Sequence, residues 1–506
     1  MKKRSLVLVT IDCLRADHVS FLGYSRPVTP FLESLAKISV VFSQAIVAGA
    51  PTYFSFPAIM AARYPLGLGR EVLGVAPGET TIATVLRDSG YQTAAFVAGN
   101  PYLTGRFGYD LGFALFEDFM RSESSGTSSL PEEGVRAWSK LNRQFQRISR
   151  KTGITASVYD ELYFHYCQWL SRRRVVSMNQ LRRYPSADVL VCHAIEWLEA
   201  LQDQPFFLWI HLMDPHHPYY PPQDALSSLG TAYISPLRAL YLNSFWNRGD
   251  IGARRLERHK EEVVTLYDAG VRWADHQLSR LVEALQQRQR WSETIFAVTA
   301  DHGEEFLEHG NRYHSPVGLP EQLIRVPLLI RTPELSRGKC LNETFSLIHL
   351  APTLLEAAGI TVPDSFQGSG YWNQVCSGHL PDNPAIVESV EGDNNWSVAD
   401  RIQPRLIAVR DRDYKLVIRF RDRTENLYCV REDPLERHPL TAAVEKEKRL
   451  QLLRIAATHL RESREHRDPN LMLRARFREI RQQLSLASAK TETASVQNPF
   501  EIAAHG

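Results

Sequence analysis

Ser5–Asp12 reads SLVLVTID, a run of aliphatic and β-branched residues closed by a carboxylate. It lacks the polar–apolar alternation of a strand with one wet face, so it reads as a strand buried on both sides, the habit of parallel sheets. Runs of the same kind recur as TAAFVAG (93–99), PFFLWIHLMD (205–214), TIFAVTADHG (294–303) and VPLLIRTP (326–333). Helical patterns separate them: TPFLESLAKIS, TIATVLRDSG and ADHQLSRLVEALQQRQRW, with SLIHLAPTLLEAAGI after the last strand. Alternation of buried strand and helix predicts an α/β fold, a largely parallel central sheet with helices on both faces. In such sheets ligands bind at the carboxyl ends of strands. Asp12, Asp214, Asp301 and His302 fall there.

With 506 residues, a large domain plus a smaller one is the expectation, and 44% hydrophobic residues support a real core. The 59 basic residues nearly balance 57 acidic ones. That excludes the polyelectrolyte signature of a nucleic-acid binder. Cys13, Cys167, Cys192, Cys340, Cys376 and Cys429 are scattered without a CxxC pair, which argues against a zinc knuckle or disulfide scaffold. The apolar part of the N-terminus, Leu6 to Ile11, is too short for a signal peptide, and no segment approaches the about 20 apolar residues of a membrane span. A cytoplasmic protein is expected.

The rhythm breaks over about 120–190, where RSESSGTSS precedes the basic stretches VRAWSKLNRQFQRISRK and CQWLSRRRVVSMNQLRRY, read as a solvated helical insertion into a catalytic domain spanning 1–383. RLIAVRDRDYKLVIRFRDRTENLYCV predicts antiparallel hairpins in a small C-terminal α+β subdomain, 384–460. A charged helical tail and a disordered end complete the chain over 461–506.

Ala50–Pro65, APTYFSFPAIMAARYP, sets Thr52 and Ser55 at the mouth of an apolar helix. Either they cap it, or one of them reacts. Asp12, Asp301 and His302, with Asp214, His216, His217 and His314 in nearby loops, bring several carboxylates and imidazoles to strand ends. Clustered unpaired charges repel, and a divalent cation resolves that cost. Mixed carboxylate and imidazole donors suit zinc or manganese; a calcium cage would leave His302 unexplained. A hydroxyl beside such an ion loses its proton more easily, which would make Thr52 a nucleophile and Ser55 a capping or supporting hydroxyl. Asn100, past the end of TAAFVAG, could donate to an anionic oxygen or simply shape a turn. Cys13 reads as a small residue facing away from Asp12, with a soft extra ligand as the other reading. Arg15 reads as structural, and His309 as a supporting group.

LVTIDCLRADHVSFLGYSRPVTPFLESLA resembles the N-terminal signature of the sulfatases and their relatives in the alkaline phosphatase superfamily. TIATVLRDSGYQTAAFVAGNPYL, PFFLWIHLMDPHHPYYPP, VTADHGEEFLEHG, VPLLIRTP, IHLAPTLLEAAGI and YKLVIR…ENLYCVREDPLERHPL resemble later blocks in family order, over about 5–118 and 185–440. The resemblance implies a metal-dependent ester hydrolase and places the reactive position at Thr52. Sulfatases carry Cys or Ser there, within C/S-x-P-S-R, and oxidise it to formylglycine; here Phe54 and Phe56 replace the proline and arginine. Thr cannot be that precursor and resembles the branches that attack with the Thr oxygen. By the same resemblance Asp12, Thr52, Asp301 and His302 hold one metal ion (manganese, zinc or calcium), and His216 and His314 bind the transferred group or a second metal, with Asn100 as a further substrate contact. A small-molecule or glycan-type anionic ester is the implied substrate, with a lean to phosphate or phosphonate esters over sulfate. The alternatives are a transferase to an acceptor other than water, whose relatives of that kind are membrane-anchored, and a non-catalytic binding protein on this fold.

Overall fold

The protein is described by a computed structural model over residues 3–68, 72–120, 153–171, 175–315, 318–391, 405–465, 468–478 and 480–481. Eight strands form the central sheet: β1 (Ser5–Ile11), β2 (Val40–Ile46), β3 (Gln92–Val97), β4 (Leu115–Glu117), β5 (Phe206–Leu212), β6 (Thr294–Ala300), β9 (Arg325–Arg331) and β10 (Lys339–Ser346). Their spatial order is β10-β2-β9-β6-β1-β5-β3-β4. All seven residues of β1, β5 and β6 are buried, so both faces of the sheet centre are covered, as the continuous apolar runs require.

Every neighbouring pair is parallel except those of β9, which runs antiparallel between β2 and β6. VPLLIRTP is therefore buried as expected but points the other way. An apolar run reports burial, and burial is the same for either strand direction. The short edge strand β4 and the strands β2 and β10 stand outside the runs read from sequence; β10 carries Lys339, Asn342 and Glu343, which mask it.

Register positions the site. Ile11 at the end of β1 lies level with Leu212 of β5 and Ala300 of β6. The residues that follow (Asp12, Met213 and Asp301) leave the sheet side by side. Just past β6, a two-stranded ribbon of β7 (Glu305–Phe306) and β8 (Arg312–Tyr313) folds back beside this edge.

The helix Thr52–Ala61 has nine of its ten residues buried. Its N-cap is Pro51, with no side-chain cap, so neither Thr52 nor Ser55 caps it; the Ser55 Oγ is buried without a hydrogen-bond partner. Phe56, fully buried, packs against Trp209, Tyr109 and His211 with ring centroids 5.5, 5.9 and 5.2 Å away. Truncation of such a ring leaves a cavity beneath the carboxyl edge of the sheet. Phe56→Ala is expected to cost about 3–5 kcal/mol in chemical denaturation.

A second sheet is a four-stranded antiparallel meander of β11 (Ala385–Val390), β12 (Arg405–Arg410), β13 (Tyr414–Arg419) and β14 (Thr424–Cys429). Leu452 and Ala456 of the helix Lys446–Glu465 pack on Ile407, Val409, Leu416 and Leu427. The sheet is tied to the segment that leads into the helix Thr52–Ala61: the Glu388 N–H donates to Ala48 O at 2.9 Å and the Ser389 hydroxyl to Ala50 O at 2.7 Å.

The basic stretch VRAWSKLNRQFQRISRK and the end of the chain beyond residue 481 lie outside the described residues. CQWLSRRRVVSMNQLRRY opens in the last turns of the helix Gly153–Ser171, and its residues 172–174 lie outside the described residues. Further along, Arg182 is not solvated: it donates to Tyr220 O at 2.9 Å and pairs with Asp214 at 3.3 Å. In the tail, Arg478 donates to Val75 O at 2.6 Å and Leu73 O at 3.2 Å, and Ala475 packs with Leu68, Val72 and Ala76. No helix among the described residues is long and apolar enough to cross a membrane.

Candidate active site

Asp12, Thr52, Asp301 and His302, from three separated parts of the chain, converge at the carboxyl edge of the sheet, and all four are buried. The Thr52 Oγ1 lies 3.0 Å from His302 Nε2. The same nitrogen is 3.5 Å from Asp301 Oδ2 and 3.8 Å from Asp12 Oδ1. His302 Nδ1 is 2.8 Å from the Gly303 carbonyl, a contact that fixes the proton on Nδ1 and leaves Nε2 as a lone-pair donor facing the carboxylates. Gly303 can turn this tightly because it has no side chain: a Cβ there would run into the Gln322 carbonyl.

The electrostatics are those of a crowded anionic pocket. Burial raises the Asp301 carboxyl, and the Asp12 charge raises it further. Burial works the same way on Asp12, but His216, His211 and His302 outweigh it and hold Asp12 well below the usual carboxylate range. Burial, aided by His314, lowers His302 to about 4, so its imidazole is neutral at pH 7. Burial also lowers His216, whereas at His314 the carboxylate of Glu304 overcomes burial and raises it.

His216 and His314 face this pocket from the loops after β5 and β8. Their rings are 5.1 Å apart, and His314 is 4.8 Å from His302. Both are only partly buried, so they stand where the pocket opens. Asn100 also arrives here, but its amide is spoken for: Nδ2 donates to Asp12 Oδ2 at 3.0 Å and to Met213 Sδ at 3.4 Å, while Oδ1 accepts the Tyr102 N–H. It holds a carboxylate in place rather than presenting a donor to open space.

Other residues read from the sequence lie elsewhere. Asp214 accepts the Ala187 N–H at 3.0 Å, at the start of the helix Ala187–Ala200, and pairs with Arg182; burial pushes it up to about 6. His217 Nε2 is 3.3 Å from the Tyr313 hydroxyl. Arg15 is structural, bound to Asp17, Glu308 and the Glu304 carbonyl. His309 bridges Glu305 and the Leu435 carbonyl.

Two contributors, His211 and Glu304, were not read from the sequence, and a third, Cys13, was read with the wrong orientation. His211, fully buried inside β5, links Thr10 Oγ1 (2.9 Å from Nδ1) to Asp12 Oδ2 (3.3 Å from Nε2). The signal was present: an imidazole inside FFLWIHL needs a buried polar partner. Glu304 is fully buried, accepts from the Tyr219 hydroxyl at 3.1 Å through Oε2, and leaves Oε1 without a hydrogen-bond partner. Cys13, expected to face away, turns inward. It takes a left-handed φ of 61°, its thiol donates to Asp12 Oδ1 at 3.1 Å, and its Sγ lies 3.6 Å from His314 Nδ1. Burial with Glu304, Asp12 and Asp301 nearby pushes that thiol well up. Side-chain direction at a single residue after a strand depends on one backbone torsion, which no apolar pattern records.

The donor chemistry suits a divalent cation. Asp12, Cys13 and His302 offer donor atoms all within 4.8 Å of one another. Asp301 Oδ2 is buried with no hydrogen-bond partner, an unmet charge that a cation would satisfy.

Comparison with known proteins bears on the family and the fold. Residues 4–360 match the sulfatase family model, and residues 313–464 match the C-terminal model of N-sulphoglucosamine sulphohydrolase. The chain is 26% identical over 390 residues to an arylsulfatase of Clostridium perfringens, covering 72% of this chain and 77% of that one. Among solved structures, the phosphonate monoester hydrolase of Agrobacterium radiobacter superposes with a TM-score of 0.62 at 19% identity, covering 92% of this chain and 96% of that chain. A protein solved in complex with its substrate D-glucosamine-2-N,6-O-disulfate also gives 0.62, at 16% identity, over 92% and 99% of the two chains. A family model that spans residues 4–360, carried on an alkaline-phosphatase-like sheet, settles the membership: this chain belongs to the sulfatase family, hydrolases that act on sulfuric or phosphoric ester bonds.

Proposed function

We propose that this enzyme is a metal-dependent hydrolase of phosphate or phosphonate esters in which Thr52 is the nucleophile. The observation that carries the reading is the Thr52 hydroxyl 3.0 Å from His302 Nε2, on the first residue of a buried ten-residue helix and beside Asp12 and Asp301. Asp12, Asp301, His302 and the Thr52 oxygen would hold the cation. Once bound, that ion lowers the pKa of the hydroxyl and takes up charge on the transferred group.

The chain's own residues supply the rest. Thr52 Oγ1 forms the new bond to phosphorus as the ester oxygen leaves with the bonding pair. The phosphothreonine that results is then cleaved by water, which restores the hydroxyl and releases the phosphate or phosphonate. The first N–H groups of the helix face the anionic group, with the dipole in the favourable sense. His216 and His314 contact the non-bridging oxygens and hold the proton at the leaving oxygen. Asn100 and His211 position Asp12.

The lean to phosphorus rests on two features. Threonine cannot be converted to formylglycine, so the elimination by which sulfatases release sulfate is closed to it. Phosphoryl groups also carry more charge for the imidazoles and cation to stabilise. A second reading, a sulfated amino sugar as substrate, is favoured by the match of residues 313–464. Nitrophenyl phosphate, phosphate diester, phosphonate and sulfate, each assayed with manganese, zinc or calcium, separate the two. A phosphorus ester is expected to turn over fastest; a sulfate ester ahead of all three overturns the proposal.

The role given to Asn100 has its own check. Asn100→Ala removes a donor from Asp12 Oδ2, and outer partners of this kind tune cation affinity by about 10–100-fold. A drop of that size is expected in calorimetric titration. A cytoplasmic setting remains part of the proposal, supported by the scattered cysteines, and fractionation of cells making the protein tests it.

A further inference from the structure

Residues 182–187 close the stretch that breaks the strand–helix rhythm, and this loop is pinned at both ends beside the end of β5. Arg182 pairs with Asp214 at 3.3 Å and donates to Tyr220 O at 2.9 Å. The Ala187 N–H donates to Asp214 Oδ2 at 3.0 Å, and the Trp273 indole N–H donates to Ser186 Oγ at 2.8 Å. Between these pins Tyr184 stands edge-on to His216, the ring centroids 5.3 Å apart and the planes at 83°. Arg183 lies over the Tyr184 ring, its guanidinium carbon 5.7 Å from the centroid. We infer that Arg183 and Tyr184 form a leaving-group subsite for esters of an alcohol or phenol that itself carries a negative charge.

Both side chains have hydrogen bonds to give. Arg183 is exposed, and among the described residues its guanidinium makes no hydrogen bond or ion pair. Its planar fork of N–H donors meets an arriving carboxylate or phosphate two at a time, with no existing contact to break. The seat on the Tyr184 ring narrows the freedom of the guanidinium beforehand, so less is lost on binding. Burial holds the Tyr184 phenol up at about 12, so at pH 7 its hydroxyl is protonated and donates. That hydroxyl, too, has no hydrogen-bond partner among the described residues.

The place of the pair in the pocket gives it this role. His216 and His314 stand at the opening, 5.1 Å apart, so a group joined to the transferred phosphoryl passes Tyr184 as it emerges beside His216. Inside, the carboxylates of Asp12, Asp301 and Glu304 are fully buried. One divalent cation offsets two of those formal charges, and the third works against a second anion entering the site. A guanidinium at the mouth opposes that repulsion and raises the local concentration of a doubly anionic ester. Arg183 and Tyr184 lie outside the sequence blocks that resemble the sulfatases, so this preference belongs to the chain's own inserted stretch.

This inference deepens the reading proposed above and rests on its placement of the transferred group beside His216; the experiment keeps the two apart. Full-length protein with added manganese is titrated calorimetrically with two phenylphosphonic acids that have no ester bond to cleave. One carries a para carboxylate and the other the isosteric carboxamide, and the matching phenylsulfonic acids form a second pair. The unmutated protein is expected to bind the carboxylate about three- to tenfold more tightly than the carboxamide. Arg183→Gln is expected to bring that ratio near one by weakening the carboxylate arm, and Arg183→Lys to recover part of it. Tyr184→Phe keeps the ring under Arg183 and should lower the ratio by less than Arg183→Gln does. An arginine that only packs on Tyr184 would move Tm and leave the ratio alone. A ratio near one in the unmutated protein, or a ratio that survives Arg183→Gln, overturns the subsite. Faster turnover of a sulfate ester overturns the phosphorus reading instead, and the sulfonate pair then decides the subsite by the same two outcomes.

Discussion

Thr52→Ala is expected to lose turnover of its best phosphorus ester by about 10³–10⁶-fold, the span typical for removal of a nucleophile that works with a preassembled site. The change should spare the fold, because residue 52 is the first residue of its helix and the helix core below it is untouched. It should also leave circular dichroism unchanged and lower Tm by little, since alanine fits the space of a smaller side chain at a helix start. Thr52→Ser keeps the hydroxyl 3.0 Å from His302 Nε2 and should retain most activity. A rapid quench with substrate gives a direct reading: the unmutated protein should carry phosphate on the tryptic peptide containing Thr52, and Thr52→Ala should carry none. Equal turnover by Thr52→Ala ends the assignment. So does a phosphorylated peptide that does not contain residue 52.

The second large effect concerns Asp301. Its folded carboxyl is raised by burial and by the Asp12 charge, so in metal-free protein the folded state binds a proton more tightly than the unfolded chain. A raised carboxyl therefore contributes instability as pH climbs: its part of the folding free energy is intact below the unfolded pKa and declines as pH rises toward the folded one. Asp301→Asn removes that group. Metal-free Asp301→Asn should accordingly be more stable than metal-free wild type at pH 8, and the difference should shrink as pH falls to 4. Added cation reverses the ranking. Wild type at a hundred times the dissociation constant should gain about 2.7 kcal/mol, and Asp301→Asn should gain much less. Paired denaturation curves with chelator and with metal, at several pH values, read both effects. A variant stabilised by metal as strongly as wild type would show that Asp301 is not a ligand.

The two predictions address one arrangement, and they fail independently. Thr52 could be inert beside a well-filled metal site, or reactive with the cation held by Asp12 and His302 alone. Phe56→Ala and Asn100→Ala bound the same pocket from below and from the side. The first tests packing under the helix Thr52–Ala61, and the second tests how Asp12 is held. The Phe56 ring fills the space between Trp209, Tyr109 and His211.

By itself the amino-acid order determined the buried strands and the chemistry waiting at their ends. SLVLVTID, PFFLWIHLMD and TIFAVTADHG are apolar on both faces because the sheet centre is covered on both faces, and that pattern survives in one dimension. The carboxylates and imidazoles could be found for the same reason: polar groups directly after apolar runs stand at strand ends. The order of strands was not legible, nor was the reversed direction of β9 or the existence of β10, since pairing depends on partners hundreds of residues apart and burial is indifferent to direction. Only the tertiary structure decided which side chains meet. It turned Cys13 inward through one backbone torsion, gave the Asn100 amide to Asp12, drew Asp214 off to the helix Ala187–Ala200, and set His211 and Glu304 behind the site. A contact between distant residues is a property of three-dimensional registration, and a string of residues specifies it only through the fold it produces.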